Sequence, residues 1–156
     1  MDLGDFLSAE GYVGFQSQEY DDARLSANSG VYFGASVLWN ITTLTSIRFK
    51  ASRSVQETIL ADSSGFWDTQ FSVSAEHELL ENIILTAGAA YDPAEYKGIS
   101  RQDMLVSGQL GLKWAFMQNY SLETTGEIQH RLSNEANNSF TRALIAVNLK
   151  ASFEPR

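Results

Sequence analysis

Most of this chain alternates between apolar and polar positions, and the period is two. From Phe6 to Tyr20, Leu7, Ala9, Gly11, Val13 and Phe15 share one parity, while Ser8, Glu10, Tyr12, Gly14 and Gln16 share the other. Side chains alternate across a strand, so such a stretch has one apolar face and one wet face. The same pattern returns in Val31, Phe33, Ala35, Val37 and Trp39, and again in Thr45, Ile47, Phe49 and Ala51. Behind the third set stand Ser46, Arg48, Lys50, Ser52 and Ser54, a face too charged for an ordinary core. Further strands are predicted with Trp67 to His77, Ile83 to Tyr91, Met104 to Trp114, Tyr120 to Ile128 and Ala143 to Phe153 on their apolar sides. Helix competes only where apolar residues bunch, at Ile83 to Leu85. Elsewhere the period and the β-branched and aromatic content favour eight strands.

The connections alternate as regularly as the strands. Long polar loops are expected at Asp21 to Gly30, Glu57 to Gly65, Asp92 to Asp103 and Ser133 to Ser139. Short turns are expected at Asn40 to Thr43, Leu79 to Asn82 and Met117 to Asn119. Short turns on one side and long loops on the other mark bacterial outer-membrane barrels. The expected fold is all-β: an antiparallel, up-and-down transmembrane β-barrel with eight strands in this chain.

A repeat reinforces the register. Leu7, Thr45, Ile83 and Tyr120 open the four upward strands at separations of 38, 38 and 37 residues. Trp39, His77, Trp114 and Phe153 close the downward strands at separations of 38, 37 and 39. The unit is one hairpin of about 38 residues used four times within a single domain spanning 1–156, with 154–156 as a tail. Trp39, Trp114, Tyr120 and Phe153 are expected at one membrane interface, and Trp67 and Tyr91, with Phe15, at the other, since amphipathic rings favour headgroup depth. The opposite face carries Glu10, Arg48, Lys50, Glu76, Lys113, Glu123, Glu127 and Lys150, the expected lumen lining. Alternation alone does not say which face is inside; the aromatic rows and the loop asymmetry favour polar-in.

Composition narrows the possibilities further. The chain has 156 residues, a net charge of −8 and no cysteine. A disulfide framework, a thiol nucleophile and a cysteine zinc site are thereby excluded, and the acidic balance argues against nucleic acid. A mean hydropathy of −0.19 resembles that of soluble proteins, but a polar lumen offsets an apolar exterior. No apolar run is long enough for a spanning helix. Residues 1–5 hold no basic region and no apolar stretch of signal-peptide type, so the chain is expected to be a mature form or a fragment.

Gly34 to Asn40 followed by Thr42 to Thr45, Ala51 to Thr58, His77 to Asn82, and Tyr96 to Asp103 are segments that resemble the putative β-barrel porin 2 family of bacterial outer-membrane proteins. The resemblance spans nearly the whole chain, and its motifs are architectural rather than catalytic. Family members are usually longer, so it implies the C-terminal part of a larger barrel. It also implies an association with exopolysaccharide production or export. The expected partners are outer-membrane lipid and lipopolysaccharide, the barrel-assembly machinery and polysaccharide export components, with no cofactor.

The leading expectation is passive transport, or polysaccharide-linked export, across the outer membrane, without enzymatic activity. Eight strands leave an interior just wide enough for side chains, so a small structural barrel plugged by ion pairs is the first alternative. A lipid-modifying enzyme would need more than His130, Ser133 and Glu135 in one polar region. A soluble barrel with its apolar face inward, holding a ligand, is the third. His77 and His130 fall on outward positions near strand ends, and the loop acids show no metal-ligand spacing.

Overall fold

The computed structural model describes residues 6–18, 28–56 and 65–152. Every regular element among them is a strand: β1 (Leu7–Gln18), β2 (Asn28–Thr42), β3 (Thr45–Gln56), β4 (Gly65–Leu80), β5 (Ile83–Lys97), β6 (Gln102–Met117), β7 (Tyr120–Ser133) and β8 (Phe140–Ala151). All pair antiparallel with their sequence neighbours in one sheet of order β1 to β8. Among the described residues β1 and β8 are its two free edges.

The ladder has a constant stagger. Trp39 pairs with Leu7, the first residue of β1, and with Ile47, the third of β3. His77 likewise pairs with Thr45 and Leu85, and Trp114 with Ile83 and Leu122. Each hairpin is therefore displaced two residues along the previous one. Two residues of rise over two strand spacings incline the strands by about 35°, as in transmembrane barrels. A bulge beside each tight turn, at Asn40/Thr42, Glu78/Leu80 and Ala115/Met117, repeats the same local geometry.

One equivalence in the repeat shifts. Tyr120 pairs with Ala151, as Leu7 pairs with Trp39 and Ile83 with Trp114. The Ser152 amide donates to Asn119 at 2.9 Å, just as Asn40 donates to Phe6 at 2.8 Å and Ala115 to Asn82 at 2.8 Å. Ala151, not Phe153, is thus the fourth copy of the Trp39 position. Matching aromatic to aromatic overshoots the ladder by two residues of the same parity. Phe153 itself lies outside the described residues.

Burial follows the alternation most clearly in β5, whereas nearly all of β8 is exposed on both faces. In β5, Leu85, Ala87, Ala89 and Tyr91 are exposed, while Ile84, Thr86, Gly88 and Ala90 are half-buried. The apolar face is the bare one, with Val13 at 75%, Leu110 at 70% and Ile145 at 78% exposure. Among the described residues no second layer packs against it, and the only buried large apolar residue is Trp67. Soluble monomers rarely leave so broad an apolar surface uncovered.

The strands run further than alternation indicates. β5 continues past Tyr91 to Lys97, so the connection to β6 is only Gly98 to Arg101, where a long loop from Asp92 was expected. Beyond the apolar band both faces are wet, so the hydropathy signal fades although the ladder continues. Pro93 sits within β5, not in a loop; it pairs with Met104 on the β6 side. Toward β4 the ladder skips from Asp68↔Ala94 to Phe71↔Tyr91 around this proline, which has no N–H to donate.

Candidate functional site

The polar face is built by the ladder itself. Glu10 pairs with Ser36, Ser36 with Lys50 and Lys50 with Ser72. The same row continues through Ala90, Ser107, Gln129 and Arg142. The row below it carries Arg48, Ser74, Gly88, Gln109 and Glu127. Glu76 pairs with Thr86 and Lys113 with Glu123, and Lys150 stands opposite Ser121. All eight charged residues expected on the polar face share it. Arg142 joins them, one residue before the stretch where the last strand was expected to begin.

Among the described residues few of these charges pair with one another. Lys150 takes the Glu123 carboxylate at 2.6 Å, although Lys113 is the ladder partner of Glu123. Lys150 is 63% exposed, so the pair is worth no more than about 1 kcal/mol. Arg142 donates to the Gln129 side-chain oxygen at 2.7 Å, and the Gln129 amide donates in turn to Glu127. Arg48 and Lys50, two residues apart on β3, form no ion pair with another described residue and are exposed. They leave a positive stripe on the wall.

Trp39, Tyr91, Trp114 and Tyr120 stand exposed on the apolar face. Ile83 is the ladder partner of Trp114, and Tyr91 lies eight residues further up the same strand. At the observed incline the two aromatic rows are roughly 22 Å apart, close to the apolar band of a membrane barrel. Trp67 differs from the other four. It pairs with Glu95, four residues above Tyr91, and is 3% exposed. The Arg53 guanidinium lies 4.9 Å from its ring, and a Cβ on Gly30 would meet it at 2.6 Å. Its ring is covered by protein rather than displayed on the apolar face. Sequence parity placed it on the apolar face but carried no information on its height.

At that upper end, two connections are clipped together. Gly98, with φ of 89°, makes the β5–β6 turn. Asn134 then accepts from the Gln102 amide at 2.9 Å and donates to the Ser100 carbonyl at 2.6 Å. Arg101 binds the Asp103 carboxylate at 2.7 Å, reaches Glu135 at 3.3 Å and stacks 4.7 Å from the Tyr96 ring. Burial alone would raise the pKa of Asp103, which is 6% exposed. Hydrogen bonds from Arg101 and Ser133 and the charges of Arg101 and Arg131 outweigh it, so the carboxyl stays below its ordinary value. These residues lay in stretches read as loop, and no periodicity pointed to them.

The remaining candidates for chemistry are not assembled. His77 shares a hydrogen bond with Thr45 at 2.9 Å, and His130 with Thr141 at 2.8 Å, each across a strand pair. His130 is not hydrogen-bonded to Ser133 or Glu135. Among the described residues no cluster of His, Asp and Glu could hold a metal ion.

The site is a wall: a continuous polar face carrying charges of both signs, backed by an apolar face. No curated protein and no solved structure matches the chain. A family model does, and it covers residues 1–153. With its eight up-and-down strands, the chain belongs to the family described as putative beta-barrel porin 2.

Proposed function

We propose that this chain forms wall of a water-filled outer-membrane pore that conducts hydrophilic solutes passively and carries no catalytic activity. The observation that carries the reading is the pairing of an exposed apolar face with a polar face whose Arg48 and Lys50 form no ion pair with another described residue. A charged ring on a pore wall selects ions, whereas charges in a plug would be spent on one another. Lipid cannot satisfy free backbone groups, so the edges of β1 and β8 are paired in the membrane, with each other or with further strands. The constant stagger is compatible with either closure, and the family's association with exopolysaccharide makes a sugar polymer a natural cargo. Lipid and lipopolysaccharide surround the apolar band, with Trp39, Tyr91, Trp114 and Tyr120 at its borders.

Single-channel recording on the purified protein in a planar bilayer tests this reading. Discrete, voltage-independent conductance steps are expected. A folded, membrane-inserted protein that passes no current would overturn it.

A further inference from the structure

The two edge strands of the sheet complement each other in hydrogen-bonding parity, in face and in charge. The Phe6 carbonyl accepts from the Asn40 amide, and the Asn119 carbonyl from the Ser152 amide. Alternate pairs of an antiparallel ladder are hydrogen-bonded, so the even-numbered residues of β1 and β8 bond their inner neighbours. The backbone groups of Gly11, Val13 and Phe15 therefore point to the outer edge of β1, and those of Ile145, Val147 and Leu149 to the outer edge of β8. On both strands this parity also carries the apolar face. A register that joins the outward backbone groups thus keeps apolar with apolar and polar with polar.

The repeat selects one such register. Lys113, one residue before Trp114, pairs with Glu123, the fourth residue of β7. Leu38 with Arg48 and Glu76 with Thr86 are the same pair at the earlier seams. On the outer edges the equivalents are Lys150, one residue before Ala151, and Glu10, the fourth residue of β1. The two edges therefore hold a second copy of the Lys–Glu pair that joins β6 to β7. The same register sets Asn148 opposite Tyr12, Val147 opposite Val13 and Ile145 opposite Phe15. Those four apolar side chains are among the most exposed of the sheet, as expected where a neighbouring strand is still to come.

We infer that β8 of one chain pairs with β1 of a second copy in this register, and the copy's β8 with β1 of the first, closing one barrel of two chains. The inference rests on the pore reading above, because a channel needs more than eight strands. Eight strands closed on themselves have a radius of about 8 Å, which side chains fill. Two chains of eight strands, at the observed incline, have a radius of about 15 Å and leave an aqueous channel. Lipid tolerates no unpaired edge, and the strand whose fit to β8 is visible is this chain's own β1. Two identical head-to-tail seams, related by a twofold along the barrel axis, close the ring without a remaining edge.

The chain has no cysteine, so disulfide formation in liposomes tests the seam without background. Tyr12 and Asn148 would oppose each other as a non-hydrogen-bonded pair, with Cα atoms about 4.5 Å apart and within disulfide reach. One chain carries Tyr12→Cys and a second, lengthened by an affinity tag, carries Asn148→Cys. Refolded together and mildly oxidised, they are expected to form a covalent heterodimer on denaturing gels. Ala146→Cys in place of Asn148→Cys is two residues out of register and should give about tenfold less. Heat-modifiable migration confirms that each variant is folded. A disulfide within a chain carrying both Tyr12→Cys and Asn148→Cys, with none between chains, would overturn the second copy in favour of self-closure. No disulfide in either arrangement would overturn the register. Covalent dimers that pass no current would overturn the pore and leave the seam, whereas conductance without dimers would overturn the seam and leave the pore.

Discussion

Gln109 and Leu110 are consecutive residues on opposite faces of β6. Gln109 joins the polar row between Gly88 and Glu127, and Leu110 stands 70% exposed between Ala87 and Gly126. If the apolar face meets lipid, a charge at Leu110 is penalised and one at Gln109 is not. Leu110→Arg should cost about 2–4 kcal/mol in a bilayer, and Gln109→Arg less than about 1 kcal/mol. Urea titration in liposomes, followed by tryptophan emission, measures both.

Gly34 is needed for a neighbour rather than for its own backbone. A methyl group there collides with Tyr12 at 2.5 Å, so Gly34→Ala must displace the ring. The ring tip belongs to an exposed side chain that can swing aside, so the expected loss is no more than about 1 kcal/mol. The double variant Gly34→Ala with Tyr12→Ala should recover much of it. Additive losses in the same urea titration would contradict the ring-on-glycine packing.

The positive stripe on β3 sets ion preference if it faces the conducting path. Lys50→Glu reverses one exposed charge that forms no ion pair with another described residue. The reversal potential in a salt gradient should therefore move toward cation selectivity. An unchanged reversal potential in a conducting pore would place Lys50 off the path.

Acid should release the upper clip. The Asp103 carboxyl is held below its ordinary value of 3.8, so its ionised form favours the folded clip. That contribution is complete above the ordinary carboxylate range and disappears as pH falls through the lowered native value. Amide exchange at Gln102, corrected for its intrinsic pH dependence, should stay slow until pH drops below the ordinary carboxylate range. Asp103→Asn should make exchange faster at neutral pH and remove the acid step.

Much of this architecture is legible in residue parity. Where one face meets apolar surroundings and the other water, as from Ile83 to Tyr91, every second residue reports the strand and its face. Past Tyr91 both faces are wet, so the six further residues of β5, including Pro93, leave no periodic trace. Trp67 shows a second limit: parity assigns a face, while height depends on a ladder partner, Glu95, that no local pattern reveals. The exposed side was also illegible, because an apolar-in barrel alternates identically. For the wall, charge and parity identify Arg48 and Lys50. The packing of the Tyr12 ring becomes visible only once Gly34 is known to lie opposite it.

The central claim is that the apolar face contacts lipid and the polar face lines water. The chain has no cysteine, so single cysteines can be placed and spin-labelled without background. Labels at Phe49, Leu110 and Val147 should relax with oxygen dissolved in the bilayer, and labels at Lys50, Gln109 and Asn148 with a water-soluble nickel chelate. Equal or inverted accessibilities between the two sets would contradict the account.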